Sequence, residues 1–555
     1  MLATGLNLVY GYTGLLSFAQ VGFFGIGAYT AVLLVLERGW SLGTGAAAGG
    51  VLAAGVGLVI GYSSLRLSRH AFAIVSLSFA LLCLLVARDW VSLTRGAMGI
   101  PGLPAPTLSV PGVATWRIAR PVDFYYLLLG FAVVAHAAVY LVVTSRLGRA
   151  MRAVKLNEAL AQSQGVNPLA YKLLTIGLSA LLAGMVGGLF VFYLTIVDPS
   201  IFDFYYTETM LIMVIMGGPG SFWGVVFSAA VLSAVPDLLR FTTDLRMVLY
   251  GGVLIAVMLV FPGGLGGWLD AAPPRALAPP ARGVDLMAAP ASPPPLLEVR
   301  GLTKRYLGLT AVDDLSFSVE TGAVIGIIGP NGSGKSTTVD CLSGFTRADA
   351  GRWFLDGREL TDRSPSQIAR AGLIRTFQNV RAYDEMTLLD NLGVASQESD
   401  GVGWLRALGR TGGLRRAEAA ARERGRALLA GVGLSEYAEA PAAILSYGQR
   451  KLLSIAASMM ARPKLIVLDE PVAGVNPTLI RRIESVIRAL NAEGVTLVII
   501  EHNVDFVDVA VPPGDRAGVG RPDRRRAARD DPQRPARAGG LSGKTRASEL
   551  AAGRG

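Results

Sequence analysis

The residues Gly329-Pro330-Asn331-Gly332-Ser333-Gly334-Lys335-Ser336 follow the spacing G-x-x-x-x-G-K-[ST]. Gly329, Gly332 and Gly334 let backbone N–H groups, with Asn331 among them, wrap phosphate oxygens. Lys335 reaches the β/γ oxygens, the Ser336 hydroxyl suits Mg2+, and Thr337 completes the phosphate-binding set. A second group closes the apolar run Leu465-Ile466-Val467-Leu468 with Asp469-Glu470. An acid in the place of Asp469 holds Mg2+ beside such a loop, and Glu470 extends past the strand end, where it can polarise an attacking water. The plain alternative for Glu470 is an exposed strand-end carboxylate. Leu497–Ile500 is a third apolar run, followed by Glu501-His502. A lone histidine at a strand end is usually structural.

These groups need rigid elements behind them. Ala323–Ile328 reads as a short, buried, β-branched strand that feeds the glycine loop, and the residues after Ser336 read as a helix. The alternating run from Leu296, LLEVRGLTKRY, opens this α/β region.

The other half of the chain is a different material. The formal charge is +11, yet only 17% of residues are charged and 52% are hydrophobic. A soluble chain is about 25% charged. Residues 1–270 hold 14 Lys/Arg and 10 Asp/Glu, or 9% of that stretch. This composition excludes a wholly soluble, a disordered or a disulfide-stapled protein. Leu2–Leu36 is long enough for one and a half membrane crossings, and further apolar runs cover 46–64, 70–87, 124–144, 172–195, 206–217, 222–236 and 246–262. The expected fold is therefore multi-domain: an all-α polytopic membrane domain of eight or nine hydrophobic segments, then an α/β phosphate-loop ATPase.

Arg146, Arg149, Arg152, Lys155 and Lys172 cluster in one polar loop, which places that loop on the cytoplasmic side. The ATPase belongs on the same side, so the even number of crossings between them is consistent. Glu208, at the start of the 206–217 run, is a candidate functional group because ionisable residues at membrane depth are costly. The alternative is a solvated carboxylate near the interface. His136 and Asn7 receive no role. Cys83 and Cys341 read as packed, reduced thiols, and no metal-ligand spacing of His and Cys is present in the sequence.

Taken in order, the ATPase motifs resemble those of ATP-binding cassette (ABC) ATPases. Leu445-Ser446-Tyr447-Gly448-Gln449 resembles their signature, with Tyr447 in place of a glycine. Arg375-Thr376-Phe377-Gln378 resembles the Q-loop, and Ala473-Gly474-Val475-Asn476-Pro477 the D-loop. His502 falls at the switch histidine and Tyr306 at the adenine-stacking aromatic. The resemblance covers 296–506. It implies ATP and Mg2+ as cofactors, with Ser336, Gln378 and Asp469 at the metal and Glu470, His502 and Gln378 in catalysis. It also implies two cassettes closing head to tail, each ATP facing the partner's Ser446, Gly448 and Gln449.

The membrane half resembles the permeases of branched-chain amino-acid importers. The resemblance rests on Gly5-Leu6-Asn7-Leu8, Gly11–Ser17, Phe23–Thr30, Met213–Ser221 with Trp223-Gly224, and Tyr250–Pro262. Asn157-Glu158-Ala159-Leu160-Ala161 with Gly165 resembles the coupling loop that docks on the ATPase. The chain is thus expected to be a permease fused to its ATP-binding subunit in a bacterial cytoplasmic membrane. Expected partners are a second permease and ATP-binding subunit (or another copy of the chain), an external solute-binding protein, membrane lipid and a small amino-acid substrate, with no nucleic acid. An importer of urea, amides or other amino acids, and a tethered ATPase that transports nothing, stay open. An exporter half-transporter is disfavoured by the short glycine-rich spans.

The expected boundaries are a permease over 1–270, a Pro/Ala-rich linker over 271–295, the ATPase over 296–510 and a basic tail over 511–555. The tail carries 11 basic and 5 acidic residues without aromatics, which predicts disorder and no dedicated partner. Its Arg/Pro/Ala/Gly content predicts a change of reading frame near 507–511. The apolar start, without a basic leader or cleavage site, predicts an upstream start codon rather than a signal peptide.

Overall fold

The computed structural model describes residues 1–105, 107–110, 114–118, 120–238, 251–252, 255, 259, 264–265, 295–307, 309–328, 332–396, 412–501 and 506. Most of the 246–262 run, nearly all of the expected linker and all of the 511–555 tail lie outside these residues.

The first apolar run divides where Gly14 takes a left-handed φ of 71° and ends a helix. This gives α1 (Leu2–Thr13) and α2 (Gln20–Arg38). Ser41 and Ser68 cap α3 (Leu42–Ser64) and α4 (Arg69–Asp89), their side chains accepting from Thr44 N and Ala71 N. Next come α5 (Pro121–Val143), the polar helices α6 (Arg146–Leu156) and α7 (Glu158–Ser163), and α8 (Pro168–Leu194). Two shorter helices, α9 (Phe204–Gly217) and α10 (Phe222–Leu238), form a hairpin. Among the described residues α2, α3, α4, α5 and α8 are long and apolar enough to cross a membrane. The start of the first run and the 206–217 and 222–236 runs appear as the shorter helices α1, α9 and α10.

Small residues set the packing of α2, α3 and α8. A Cβ on Gly27 would sit 2.1 Å from the Gly184 carbonyl oxygen, and one on Gly49 would sit 2.5 Å from that of Gly27. Lipid offers no hydrophobic drive between helices, so close backbone approach supplies the attraction. Phe24, Ala28, Ala31, Ala53, Ala180 and Ala183 fill the surrounding core. Several polar groups inside are paired: Ser179 Oγ donates to the Gly5 carbonyl at 2.7 Å, and His136 Nε2 lies 3.2 Å from Thr4 Oγ1. Cys83 and Cys341 are free thiols, as expected.

Among the described residues the ATPase half carries two sheets. β1 (Leu297–Tyr306), β2 (Leu309–Val319), β4 (Ala350–Leu355) and β5 (Arg358–Glu359) form an antiparallel sheet in the order β2-β1-β4-β5. β3 (Val324–Ile328), β6 (Leu373–Arg375), β7 (Leu465–Asp469) and β8 (Thr496–Glu501) form a parallel sheet in the order β6-β7-β8-β3. Every residue of β7 and β8 is buried, which is why both read as continuous apolar runs. The helices are α11 (Lys335–Leu342), α12 (Pro365–Ala371), α13 (Leu388–Ser396), α14 (Gly412–Gly431), α15 (Tyr447–Met460) and α16 (Pro477–Ala492).

Gly27→Val drives a side chain into the α8 backbone. It is expected to cost roughly 1–3 kcal/mol or more through overpacking, read as a lower thermal unfolding midpoint of the detergent-solubilised chain. Gly130→Val, where nothing lies within 4 Å of an added Cβ, is expected to leave the midpoint unchanged.

Candidate active site

Parallel strands deliver their C-terminal ends to one edge of the sheet, the usual place for a ligand in such folds. Glu501 pairs in register with Ile328, the last residue before the glycine loop, and Asp469 with Ile500. The loop, the two acids and the end of β8 are therefore brought together by sheet register. Of the loop itself, Gly329 and Asn331 lie outside the described residues, as does His502.

Gly332 and Gly334 take φ of 83° and 88°, and a Cβ on Gly334 would lie 2.1 Å from the Ala311 carbonyl oxygen of β2. Both facts require glycine. Lys335 is buried with its Nζ 3.4 Å from Ser333 Oγ, while Ser336 is exposed at the start of α11 and Thr337 half-buried behind it. A helix start of this kind favours anions. The packing of β2 on the loop also brings along the hairpin that ends in Tyr306, whose ring is 45% exposed with Lys304 Nζ 5.2 Å from its centroid.

Asp469 is 2% exposed. Its Oδ2 accepts from Arg375 Nη2 at 3.0 Å, while Oδ1 is buried without a partner. Burial pushes this carboxyl up, with Arg375 opposing the shift. A buried carboxylate oxygen without a partner and an exposed serine hydroxyl are both hard oxygen donors of the kind Mg2+ takes. Arg375 also donates to Asp340 and, at 3.2 Å, to Ser343 Oγ, so it ties α11 to β7.

Glu470 has a φ of 46°, a strained value for a residue with a side chain, and such strain collects at functional positions. Its N–H donates to the Ile500 carbonyl at 2.9 Å, and its Oε2 accepts from Gln378 Nε2 at 2.8 Å. Lys451 Nζ donates to the carbonyls of both Gln378 and Glu470, joining α15 to the two loops. Burial lowers the Lys451 pKa, and Glu501, Asp469 and Glu470 oppose that shift.

Ser446 and Gln449 cap α15 reciprocally, leaving Ser446 exposed at its start. Gly448 is buried, and a Cβ there would lie 2.6 Å from Leu479. Tyr447 OH donates to the Gln378 carbonyl at 3.4 Å.

The sequence reading missed Arg375 and Lys451 as site residues. A basic residue ending the otherwise apolar strand Leu373-Ile374-Arg375 was the available signal for the first. For Lys451 no such local signal exists. Glu208 sits in the second turn of α9 and is exposed, and no site residue is placed against it by the described contacts.

The ATPase half meets the polar helices of the membrane half. Asn157 caps α7, its Oδ1 accepting from Leu160 N at 3.0 Å. Tyr383, fully buried, donates from OH to Gln164 Oε1 at 3.0 Å, and Arg370 Nε donates to the Gly165 carbonyl at 2.9 Å. On α6, Arg149 donates to Asp390 Oδ1 at 3.2 Å and to Glu418 Oε1 at 2.8 Å.

An apolar helical bundle docked on a phosphate-loop ATPase defines a membrane protein driven by a nucleotide. Residues 1–258 match the family model of the permease component of the branched-chain amino acid transport system, and residues 312–473 match that of ABC transporters. The high-affinity branched-chain amino acid transport ATP-binding protein BraF of Pseudomonas aeruginosa is 43% identical over 214 residues, covering 38% of this chain and 84% of that protein. Its counterpart LivG of Escherichia coli is 38% identical over the same shares of the two chains. A crystal structure of a nucleotide-free ATP-binding cassette from an ABC transporter is 35% identical, covering 39% of this chain and 85% of that one, with a TM-score of 0.34. The chain belongs to the branched-chain amino acid ABC transporter family, with a permease domain and an ATP-hydrolysing cassette domain.

Gly334→Ala places a methyl group against the Ala311 carbonyl at a φ that disfavours it. Binding of a fluorescent ATP analogue to this variant is expected to weaken roughly tenfold or more, given a strained backbone costing about 1–3 kcal/mol, with the membrane half still folded by circular dichroism.

Proposed function

We propose that the chain is the fused permease and ATPase of an importer that takes up branched-chain amino acids across a bacterial cytoplasmic membrane, with the ATPase in the cytoplasm. The observation that carries this reading is the clasp of α7 by Tyr383 and Arg370, which flank the Gln378 segment in sequence. A change at Gln378 is thereby within a few residues of the membrane half. In this reading residues 1–270 are the permease, 271–295 the linker, 296–510 the ATPase and 511–555 a basic tail. One chain supplies one permease and one cassette, so a second pair completes the assembly, and an external solute-binding protein delivers the amino acid.

Chemically, Gly329, Asn331, Gly332, Gly334, Lys335, Ser336 and Thr337 bind the phosphates and Tyr306 stacks on the adenine. Ser446, Gly448 and Gln449 face the nucleotide held by the partner cassette. Ser336, Gln378 and Asp469 would hold Mg2+, which when bound neutralises charge on the phosphate oxygens. Glu470 orients the attacking water and accepts its proton, with Gln378 and His502 positioned around the γ-phosphate. Fixed positive charge and positioning do most of the work in phosphoryl transfer.

Glu470→Gln is expected to keep ATP binding while lowering hydrolysis by roughly 10²-fold or more, the scale of lost general-base catalysis. Full hydrolysis by this variant would remove Glu470 from the role. In proteoliposomes holding the complete assembly, leucine with its binding protein is expected to stimulate hydrolysis and to accumulate inside. Hydrolysis without accumulation of leucine, isoleucine or valine would overturn the import reading.

A further inference from the structure

The turn between α9 and α10, Gly218-Pro219-Gly220-Ser221, is held by two residues far away in sequence. Gly218 and Gly220 take φ of 89° and 99°, and Ser221 N donates to the Gly218 carbonyl at 2.9 Å. The Asn7 side chain on α1 closes on this turn from both sides. Its Oδ1 accepts from Gly220 N at 2.9 Å, and its Nδ2 donates to the Ser221 carbonyl at 3.1 Å. Asn7 is 1% exposed, and a Cβ on Gly11 one turn later would lie 2.5 Å from Gly220 N, so α1 and the turn touch through backbone.

The second holder is Lys155, near the end of α6. Its Nζ donates to the Pro219 carbonyl at 3.3 Å, and its stem lies against Gly14 at the end of α1. Six residues earlier on the same helix, Arg149 is paired with Asp390 and Glu418 of the ATPase half. An α-helix rises about 1.5 Å per residue, so the two contacts lie roughly 9 Å apart along one rigid element. Burial lowers the Lys155 pKa, with the charge of Glu385 in the ATPase half opposing the shift.

Beyond the turn, α9 and α10 are bound tightly to each other. A Cβ on Gly217 would lie 2.5 Å from Val225 Cα, and Met210, Val214 and Val225 share a buried cluster with Ala3 and Leu6 of α1. The hairpin and α1 therefore have no slack at the turn through which a displacement could dissipate.

We propose that Asn7 and Lys155 are positioning residues that seat the α9–α10 turn on α6, so that movement of the cassette at Asp390 and Glu418 reaches the membrane bundle through α6 as well as through α7. This rests on the transport reading above. It assigns the hairpin turn as an element that α6 moves in addition to α5 and α8, the long spans on which α6 packs. The physical warrant is a continuous chain of ion pairs and hydrogen bonds with a rigid helix between them, which is the kind of network able to carry coupling.

The test compares leucine uptake and ATP hydrolysis by the assembled transporter, with partner subunits and solute-binding protein, in proteoliposomes. Lys155→Met keeps the stem and removes the donor, Asn7→Leu keeps the volume and removes both hydrogen bonds, and Lys155→Arg restores a donor. The first two are expected to keep hydrolysis within about twofold and to lower leucine moved per ATP roughly tenfold, within the range of allosteric couplings. Lys155→Arg is expected to retain most of the ratio. An unchanged ratio in Lys155→Met and Asn7→Leu overturns the proposal. So does joint loss of uptake and hydrolysis with a lower unfolding midpoint, which marks a purely structural clamp. Wild-type assemblies that hydrolyse ATP and accumulate no leucine overturn the transport reading itself, and this inference with it.

Discussion

Arg149 joins two bodies that are built for different solvents. Its side chain is 12% exposed and its guanidinium reaches both Asp390 on α13 and Glu418 on α14, while Arg146 lies 3.7 Å from the same glutamate. Surface ion pairs contribute little, but a shielded charge whose partner is removed costs several kcal/mol. Both ion pairs of Arg149 are made to the cassette, so charge helps to specify the docked register, beside the apolar cluster in which Met151 and Val154 share a core with Tyr383 and Met386. Gly393 strengthens the point, since a Cβ there would lie 2.9 Å from Arg149 Nη1. A side chain at position 393 would therefore have to displace the Arg149 guanidinium from where it meets Asp390 and Glu418.

The same demand for satisfied polar groups organises the membrane half. Away from water, Ser179, Thr4, His136 and Asn7 must find partners inside the bundle, and each has one outside its own helix. These contacts act together with the glycine-on-backbone approaches of α2, α3 and α8. Hydrocarbon packing alone would leave the helices free to slide, whereas a side-chain amide closed on a specific turn has one register. The exposed large apolar residues of α3, α4 and α5, such as Val59, Leu82 and Val133, are the complement of this arrangement. Their outward faces need no partner other than lipid or another permease.

Much of the candidate nucleotide site was open to proposal from the sequence because its parts are contiguous in the chain. The glycine loop, the strand ending in Asp469-Glu470 and the run before Glu501 each carry their own pattern, and a parallel sheet gathers strand ends without further instruction. The membrane runs were legible for the same reason, through length and apolarity, although the split at Gly14 turned the long first run into a 12-residue helix and a full span. What escaped were residues whose meaning is set by a partner far along the chain. Asn7 reads as an isolated polar residue in an apolar helix, and only the fold reveals Ser221 beside it, 214 positions later. Lys155 counts as one more positive charge in a polar loop until the α9–α10 turn is placed against it. Arg375 ends a buried strand, where a charge is costly, but no local pattern names Asp469 and Asp340 as its partners.

Three acids, Asp469, Glu470 and Glu501, lie at adjacent strand ends, and the way each is anchored differs in a manner that matters for chemistry. Asp469 is bound by a buried guanidinium, a charge-assisted contact that fixes one oxygen and leaves the other pointing away. Glu501 accepts the N–H of Val472 and so serves the backbone that follows β7. Glu470 instead accepts from the neutral amide of Gln378. A neutral donor holds a carboxylate less firmly than a charged one, so of the Asp469 and Glu470 contacts this is the more readily exchanged. Its backbone is not exchangeable in the same way, because the Ile500 carbonyl and Lys451 hold the strained peptide from both sides. The carboxylate of Glu470 can therefore change partner while its Cα stays put, which is what the proposed role beside a transient water and a transient phosphate requires.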